Sequence, residues 1–506
     1  MFGGERICAV VAAKQPEAMV RQLRQALRET RLVELRLDWL AGEREILSFL
    51  CWLRRQPRFR ARAVLIATCR RREAGGQFAG SVAAQLALLR LASELGCAWL
   101  DLEIETTERL RQGALHKLFG ASRMLVSFHD FRRTPSDLAG ILRRVKRAGG
   151  DASKIATQCR TINDSLRVLS LAGRSRRIVA VPMGELGLPA RILALRAGSA
   201  IAYAALENAT APGQIRLNEM KRLYHAAELN RRSRVYGLIG DPVGHSLSPQ
   251  MHNAGFQARK INAVYLPFLV RNLRDFLTAI EPLGVAGFSV TLPYKEAILR
   301  ALGDCDPLAA AIGAVNTVVV RGGGELYGYN TDYVGVLRAL EQRISLAGSR
   351  VLIFGAGGAA RAVAFALAQG GAAVGICARR ARRAKWLARE VGGEAIERRV
   401  LRREFFDAIV NATPVGMHPH EDRSPLRVAE LNCRLVFDLI YRPQKTKLLQ
   451  LAERRGIEIV SGVEMFLAQG TAQWEIWTGE RAPVAVMRQA VLAALRNERL
   501  GRRGRQ

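Results

Sequence analysis

Arg350-Val351-Leu352-Ile353-Phe354-Gly355-Ala356-Gly357-Gly358-Ala359-Ala360-Arg361 reads as a strand, a glycine turn and the start of a helix. The apolar, β-branched run supplies the strand, and the alanines that follow favour a helix. The turn has the form G-x-G-x-x-A, an accepted variant of the dinucleotide fingerprint. Gly355, Gly357 and Gly358, with Ala356 and Ala359 beside them, let backbone approach a pyrophosphate at the helix N-terminus. The next strand, Ala373–Cys377, ends in Ala378-Arg379-Arg380. An NAD site usually places an acidic residue there for the ribose hydroxyl. Arg379 and Arg380 suit a 2′-phosphate instead, so the expected cofactor is NADP(H).

Upstream, strand Val235–Ile239 runs into Gly240-Asp241-Pro242-Val243-Gly244-His245-Ser246-Leu247-Ser248-Pro249. The Ser246 and Ser248 hydroxyls could bind a carboxylate. Equally, Ser248-Pro249 suits a helix start, and both readings stand. Strand Gly287–Thr291 leads to Pro293-Tyr294-Lys295, and Asn316 and Asn330-Thr331-Asp332 follow. Lys295 alone would be a solvated helix-start residue. Lys295 and Asp332 in one cleft would be a proton-transfer pair.

Residues 1 to about 230 alternate short β-branched runs with amphipathic stretches. The expected strands are Ile7–Ala13, Val33–Leu37, Ala63–Thr68, Trp99–Ile104, Met124–Phe128, Ser153–Thr157, Arg177–Pro182 and Ile201–Ala205. Eight β-α repeats predict a (β/α)8 barrel, whose active site forms at the C-terminal strand ends. The polar residues falling there are Glu34, Arg36 and Asp38, Arg70, Asp101 and Glu103, His129, Lys154, Arg191 and Gln214. Any one alone would be a barrel-end salt bridge. Together they make a pocket in which lysine can attack a ketone, histidine can move a proton and arginine forks can hold a carboxylate. Glu103 could orient His129. Lysine is scarce in this arginine-rich chain, which draws attention to Lys154 and Lys295.

The first half resembles type I 3-dehydroquinate dehydratase. The matching segments are Glu34-Leu35-Arg36-Leu37-Asp38, Thr68-Cys69-Arg70, Ser127-Phe128-His129-Asp130-Phe131, Lys154-Ile155-Ala156, Met183-Gly184 with Arg191, and Ala211-Pro212-Gly213-Gln214. The resemblance implies an imine at Lys154 and proton transfer by His129. Substrate contacts would come from Glu34, Arg36, Arg70, Arg191, Thr210 and Gln214. Where that family has Glu before a Gly-Gly pair, this chain has Ala74, with Glu73 one residue early. Ala190 and Thr210 stand where serines are usual.

The second half is similar to shikimate dehydrogenase. Besides the segments above, Ala314-Val315-Asn316-Thr317, Asn411-Ala412-Thr413-Pro414-Val415-Gly416-Met417, Asp438-Leu439-Ile440-Tyr441 and Gln469 carry the likeness. It implies that Ser246, Ser248, Thr291, Asn316, Asp332 and Gln469 bind substrate, with Tyr441 near its carboxylate. Lys295 and Asp332 would handle the proton, and Thr413 and Met417 would line the cofactor site. The two likenesses together imply consecutive steps, dehydration to 3-dehydroshikimate and its reduction to shikimate. The rival readings are a catabolic quinate/shikimate dehydrogenase using NAD and a non-catalytic sensor.

The expected fold class is therefore α/β: a barrel over 1–229, a linker over 230–234 and a two-domain dehydrogenase. The dehydrogenase comprises a substrate domain over 235–340, a Rossmann-type nucleotide domain over 341–460 and C-terminal helices over 461–495 returning to the substrate domain. A basic tail over 496–506 is expected to be disordered. The net charge of +32 is dispersed, with no nucleic-acid motif, so small anionic substrates are the expected partners. Oligomerisation is compatible with the sequence. The eight cysteines form no CxxC pair or Cys/His cluster, so no metal site is expected and reduced cytoplasmic thiols are the default. The N-terminal apolar run reads as a core strand, not a signal peptide. The longest apolar stretch, Val351–Ala378, is broken by Arg361 and Gln369, so no membrane partner is expected.

Overall fold

A computed structural model describes residues 2–57, 62–110, 114–206 and 213–503. The chain divides into two compact units, Met1–Arg234 with Asn262–Gly284, and Val235–Ile261 with Val285–Gln506.

In the first unit, eight strands make a nearly closed parallel barrel: β1 (Ile7–Val11), β2 (Leu32–Arg36), β3 (Val64–Thr68), β4 (Trp99–Glu103), β5 (Arg123–Asp130), β6 (Ala152–Gln158), β7 (Ile178–Met183) and β8 (Ala202–Ala205). Neighbouring strands follow chain order, with β8 returning to β1 in register Ile7 to Ala202. The Ala200 amide donates to the Ile178 carbonyl at 2.8 Å where β7 meets the entry to β8. Burial on both faces explains why these strands are largely apolar outside the charged positions of the site. The interior is packed by Cys8, Val10, Leu32, Ile66, Leu125 and Val179 among others, and Phe2 stacks on Trp99 at 4.2 Å. Charged side chains enter the barrel above this apolar plug.

The second unit holds two sheets. In one, β9 (Arg234–Gly240) runs parallel to β11 (Val285–Val290); β10 is Ala263–Leu269, in the segment grouped with the first unit. Past β12 (Asp304–Cys305), β13 (Thr317–Val320) pairs antiparallel with β11 and with β14 (Leu326–Tyr329), and β14 pairs parallel with β12. The other is wholly parallel, built from β15 (Arg350–Phe354), β16 (Ala373–Cys377), β17 (Glu394–Ala395), β18 (Phe406–Asn411), β19 (Cys433–Asp438) and β20 (Glu458–Val460) in the order β17-β16-β15-β18-β19-β20. Alternation along β15 divides its core: Val351 and Ile353 pack on one side, Leu352 and Phe354 on the other. This doubly wound order puts the glycine turn after β15 beside the end of β18, where such sheets bind ligands.

Helix Gly462–Thr478 packs on helix Thr331–Leu340 and bonds to β13 of the mixed sheet. Its Trp477 Nε1 donates to the Val318 carbonyl at 3.0 Å, and its Gln473 Nε2 to Thr317 Oγ1 at 3.1 Å. The expectation of a disordered tail from Arg496 needs correcting: helix Val484–Arg503 continues through its first part. Leucine, glutamate and arginine there are good helix formers.

Candidate active sites

At the C-terminal barrel end, one cavity is lined by Glu34, Arg36, Arg70, His129, Lys154, Arg191 and Gln214, together with Phe131, Met183 and Tyr203. All seven of the first group are expected from sequence. Thr210 lies outside the described residues. Inward-facing strand positions set the arrangement: Glu34 and Arg36 alternate on β2, and Ser127 and His129 alternate on β5.

A buried ion network crosses the barrel. Lys154 Nζ lies 2.9 Å from Asp101 Oδ2 and 3.5 Å from Glu34 Oε1, and 4.0 Å from the centroid of the Tyr203 ring. The other Asp101 oxygen accepts from Arg70 at 2.8 Å and from Ser127 Oγ at 2.6 Å. Burial opposes charge on Asp101, but Arg70 and Lys154 outweigh it and hold the carboxyl well below its usual range. Carboxylates, then, are what meet the Lys154 amine directly. Burial, then the Arg70 and Lys154 charges, push His129 well below the usual imidazole value, so its ring is neutral near pH 7. Arg70 Nη1 contacts His129 Nδ1 at 2.5 Å. A guanidinium can only donate, so Nδ1 accepts and the ring proton sits on Nε2. Burial lowers Arg191 to about 10, which leaves it cationic near neutral pH.

Glu103 does not orient His129 as expected. Its Oε1 accepts from Gln85 Nε2 at 2.8 Å and Thr106 Oγ1 at 3.2 Å. Gln85, on helix Val82–Glu94, reaches the end of β4 first. Glu73 does not fill the place of Ala74 either. It faces solvent, paired with Arg71 at 2.9 Å and Arg109 at 3.7 Å. Asp38 binds the Arg36 fork at 2.9 and 2.8 Å and accepts from the Gln77 amide at 3.1 Å. Sequence reasoning missed Tyr203 and gave Asp101 no task. Tyr203's inward alternation between alanines on β8 is a weak signal.

In the second unit, Lys295 Nζ and Asp332 Oδ2 are 2.6 Å apart. Asp332 opens helix Thr331–Leu340, capped by Asn330, and its Oδ1 accepts from Asn316 Nδ2 at 2.8 Å. Asn316 Oδ1 accepts from the Thr331 amide and Thr317 Oγ1, both at 2.7 Å, so this residue locks the pair's setting. Ser246 donates to Ser248 Oγ at 3.1 Å. Leu247, not a serine, is the N-cap of helix Ser248–Ala258, and the Ser248 amide donates to Ser246 Oγ at 3.2 Å. Thr291 follows β11, and its amide bonds the Ile239 carbonyl at 2.9 Å. Tyr441 stacks on Phe466 at 4.6 Å, and Gln469 Nε2 donates to the Phe466 carbonyl at 2.8 Å.

The residues of the glycine turn fit a dinucleotide. A Cβ on Gly357 or Gly358 would meet nothing within 4 Å, so the backbone at the start of helix Gly358–Gln369 is open to an approaching phosphate. Gly355 has φ +130, and a Cβ there would lie 3.0 Å from the Ala412 carbonyl. Ala356 is half-buried and Ala359 exposed in the same turn, and Arg379 and Arg380 are exposed at the end of β16. Thr413 is held by Asn411 Oδ1 through its amide at 3.0 Å and its hydroxyl at 2.7 Å, and Met417 is exposed on the same loop.

The family model for type I 3-dehydroquinase matches residues 7–231. That for the shikimate dehydrogenase substrate binding domain matches 238–318, and that for the shikimate 5'-dehydrogenase C-terminal domain matches 462–492. The bifunctional 3-dehydroquinate dehydratase/shikimate dehydrogenase, chloroplastic, of Arabidopsis thaliana is 36% identical over 502 residues, covering 94% of this chain and 82% of the relative. The chain belongs to the bifunctional 3-dehydroquinate dehydratase/shikimate dehydrogenase family. Its dehydrogenase half is also 44% identical to the shikimate dehydrogenase (NADP(+)) of Methanothermobacter thermautotrophicus over 283 residues, 53% of this chain and 99% of that one. A solved shikimate dehydrogenase in complex with NADP+ aligns with a TM-score of 0.50 at 38% identity, covering 53% of this chain and 97% of its own. Among the described residues, no helix is long and apolar enough to cross a membrane.

Proposed function

We propose that the first unit dehydrates 3-dehydroquinate through an imine at Lys154, and that the second reduces 3-dehydroshikimate with NADPH at Lys295 and Asp332. One observation carries this reading most: Lys154, a neutral His129 and the Arg36, Arg70 and Arg191 guanidiniums share one cavity. The Lys154 amine attacks the ketone carbon, and the carbonyl oxygen leaves as water. The imine acidifies the neighbouring C–H. His129 takes that proton and passes one to the departing hydroxyl, and hydrolysis returns Lys154. Glu34, Arg36, Arg70, Arg191, Thr210 and Gln214 hold the carboxylate and hydroxyls. Substrate that engages Arg70 frees His129 Nδ1 for the base step.

In the second unit, bound NADPH supplies the hydride. Lys295 Nζ donates a proton to the ketone oxygen while Asp332 holds the amine in place. Ser246, Ser248, Thr291, Asn316 and Gln469 orient the ring, with Tyr441 near the carboxylate. Gly355, Ala356, Gly357, Gly358 and Ala359 receive the pyrophosphate, Arg379 and Arg380 the 2′-phosphate, and Thr413 and Met417 flank the site. The exposed arginines after β16 and the NADP-named relatives favour NADP over the NAD-using catabolic rival. Retention of Lys154, His129, Lys295 and Asp332 counts against a sensor that has given up chemistry.

Purified protein given 3-dehydroquinate and NADPH should oxidise NADPH. Borohydride should trap label at Lys154, and Lys154→Ala should lose both the label and the dehydration while still reducing added 3-dehydroshikimate. Absence of NADPH oxidation with either substrate, or label persisting in Lys154→Ala, would overturn the reading.

A further inference from the structure

Two features of the barrel site set a problem. The carboxylate that the dehydratase resemblance places before Gly75-Gly76 is missing, since Ala74 stands there and Glu73 points outward to Arg71 and Arg109. The other candidate, Glu103, is bound to Gln85 and Thr106. What His129 meets is Arg70, and what Arg70 meets is Asp101. Asp101 has no exposed side-chain surface, and its two oxygens face different ways. Oδ2 takes the Lys154 amine at 2.9 Å; Oδ1 takes Arg70 at 2.8 Å and Ser127 at 2.6 Å.

We infer that Asp101 is the positioning residue of the dehydratase site, fixing Lys154 directly and His129 at one remove through Arg70. The inference rests on the imine reading for Lys154. A carboxylate buried under three donors does not swing, so the lysine tip and the guanidinium share one rigid reference. Asp101 lies beneath the reacting groups and is not among the cavity-lining residues, so its work is done through them. Holding Arg70 also decides which ring nitrogen of His129 carries the proton until substrate arrives. Glu34 cannot substitute: at 3.5 Å from Lys154 it is the weaker contact, and Thr68 Oγ1 already donates to its near oxygen at 2.8 Å.

The test is Asp101→Asn, which keeps the shape and removes the charge. The readouts are steady-state dehydration and the pH profile of borohydride trapping at Lys154. Besides Asp101, the charged or titratable groups around that amine are Glu34, His129, Arg70, Cys8 and Tyr203. All remain in the variant. We expect kcat to fall about 100-fold with KM changed by less than about fivefold, the size of effect that a misplaced reacting group produces. The plateau of trapping should fall, and its acid limb should move to lower pH, because the amine has lost its closest counter-charge. A purely structural residue would lower the rate without moving the limb. Asp101→Glu should recover part of the limb's position. Should Asp101→Asn not fold, Ser127→Ala removes one donor to the same oxygen and should lower kcat about threefold to tenfold. An unmoved limb, or kcat within threefold of the parent, or a wild-type rate in Ser127→Ala when Asp101→Asn does not fold, would overturn the inference. Failure of the imine reading looks different: label would then appear on a peptide lacking Lys154.

Discussion

Lys154 and Lys295 are one chemical group placed against two kinds of surroundings. Lys154 is 6% exposed and sits among two carboxylates and an aromatic face; Lys295 is 24% exposed and leans on one carboxylate. The closely held Lys154 suits the proposed bond to carbon, and the more open Lys295 the proposed proton transfer. Another buried carboxyl, Asp438, has no cation beside it. Burial raises it to about 6, against the pull of donors from Thr446, the Ile440 amide and Asn411. Its folded value lies above the unfolded one, so the native state binds the proton more tightly. Stability should therefore fall as pH rises from about 4 to about 6, by up to ~3 kcal/mol from this group. Asp438→Asn should flatten the slope in that window; denaturant melts at a series of pH values would show it, and an unchanged slope would refute it.

The elements themselves were largely legible. All eight barrel strands fall where the sequence predicts strands, with inward charged residues such as Glu34, Asp101 and Lys154 interrupting the apolar pattern at the site end. Strand β5 runs on to Asp130, past the expected end at Phe128, so His129 is held by strand pairing rather than by a loop. What remained hidden was partner choice. Sequence puts Glu103 and Asp101 at one strand end alike, but only the positions of Gln85, Arg70 and Ser127 assign their tasks. The loop after β3 offers a test at this scale. Gly75 has φ +78 and lines the barrel cavity, and a Cβ there would lie 2.1 Å from the Phe131 ring. Gly75→Ala should cost about 1–2 kcal/mol in backbone conformation alone and push Phe131 aside. Dehydratase KM should rise severalfold with dehydrogenase kinetics unchanged; parent-like dehydratase kinetics would show that the loop yields freely.

Considered whole, the molecule keeps each proposed set of reacting groups inside one unit: His129 and Lys154 in the first, Lys295 and Asp332 in the second. Chains disabled at different sites should therefore complement one another by diffusion of the intermediate. A mixture of Lys154→Ala and Lys295→Ala should oxidise NADPH from 3-dehydroquinate after a lag, whereas neither alone should. A mixture that stays inactive while each variant keeps its remaining half-reaction would contradict this independence.

The exposed Arg379 and Arg380 at the end of β16 carry a further consequence. A dinucleotide phosphate gripped by solvent-facing guanidiniums is gripped through water and its ions. Screening length shrinks from about 10 Å at 0.1 M ionic strength to about 3 Å at 1 M. Added salt should therefore raise KM for NADPH steeply and KM for NADH little, narrowing the ratio between them. Parallel salt curves for the two cofactors would place the discrimination in the shape of the groove instead. If the curves converge, cofactor choice is a property that this protein shares with its solvent.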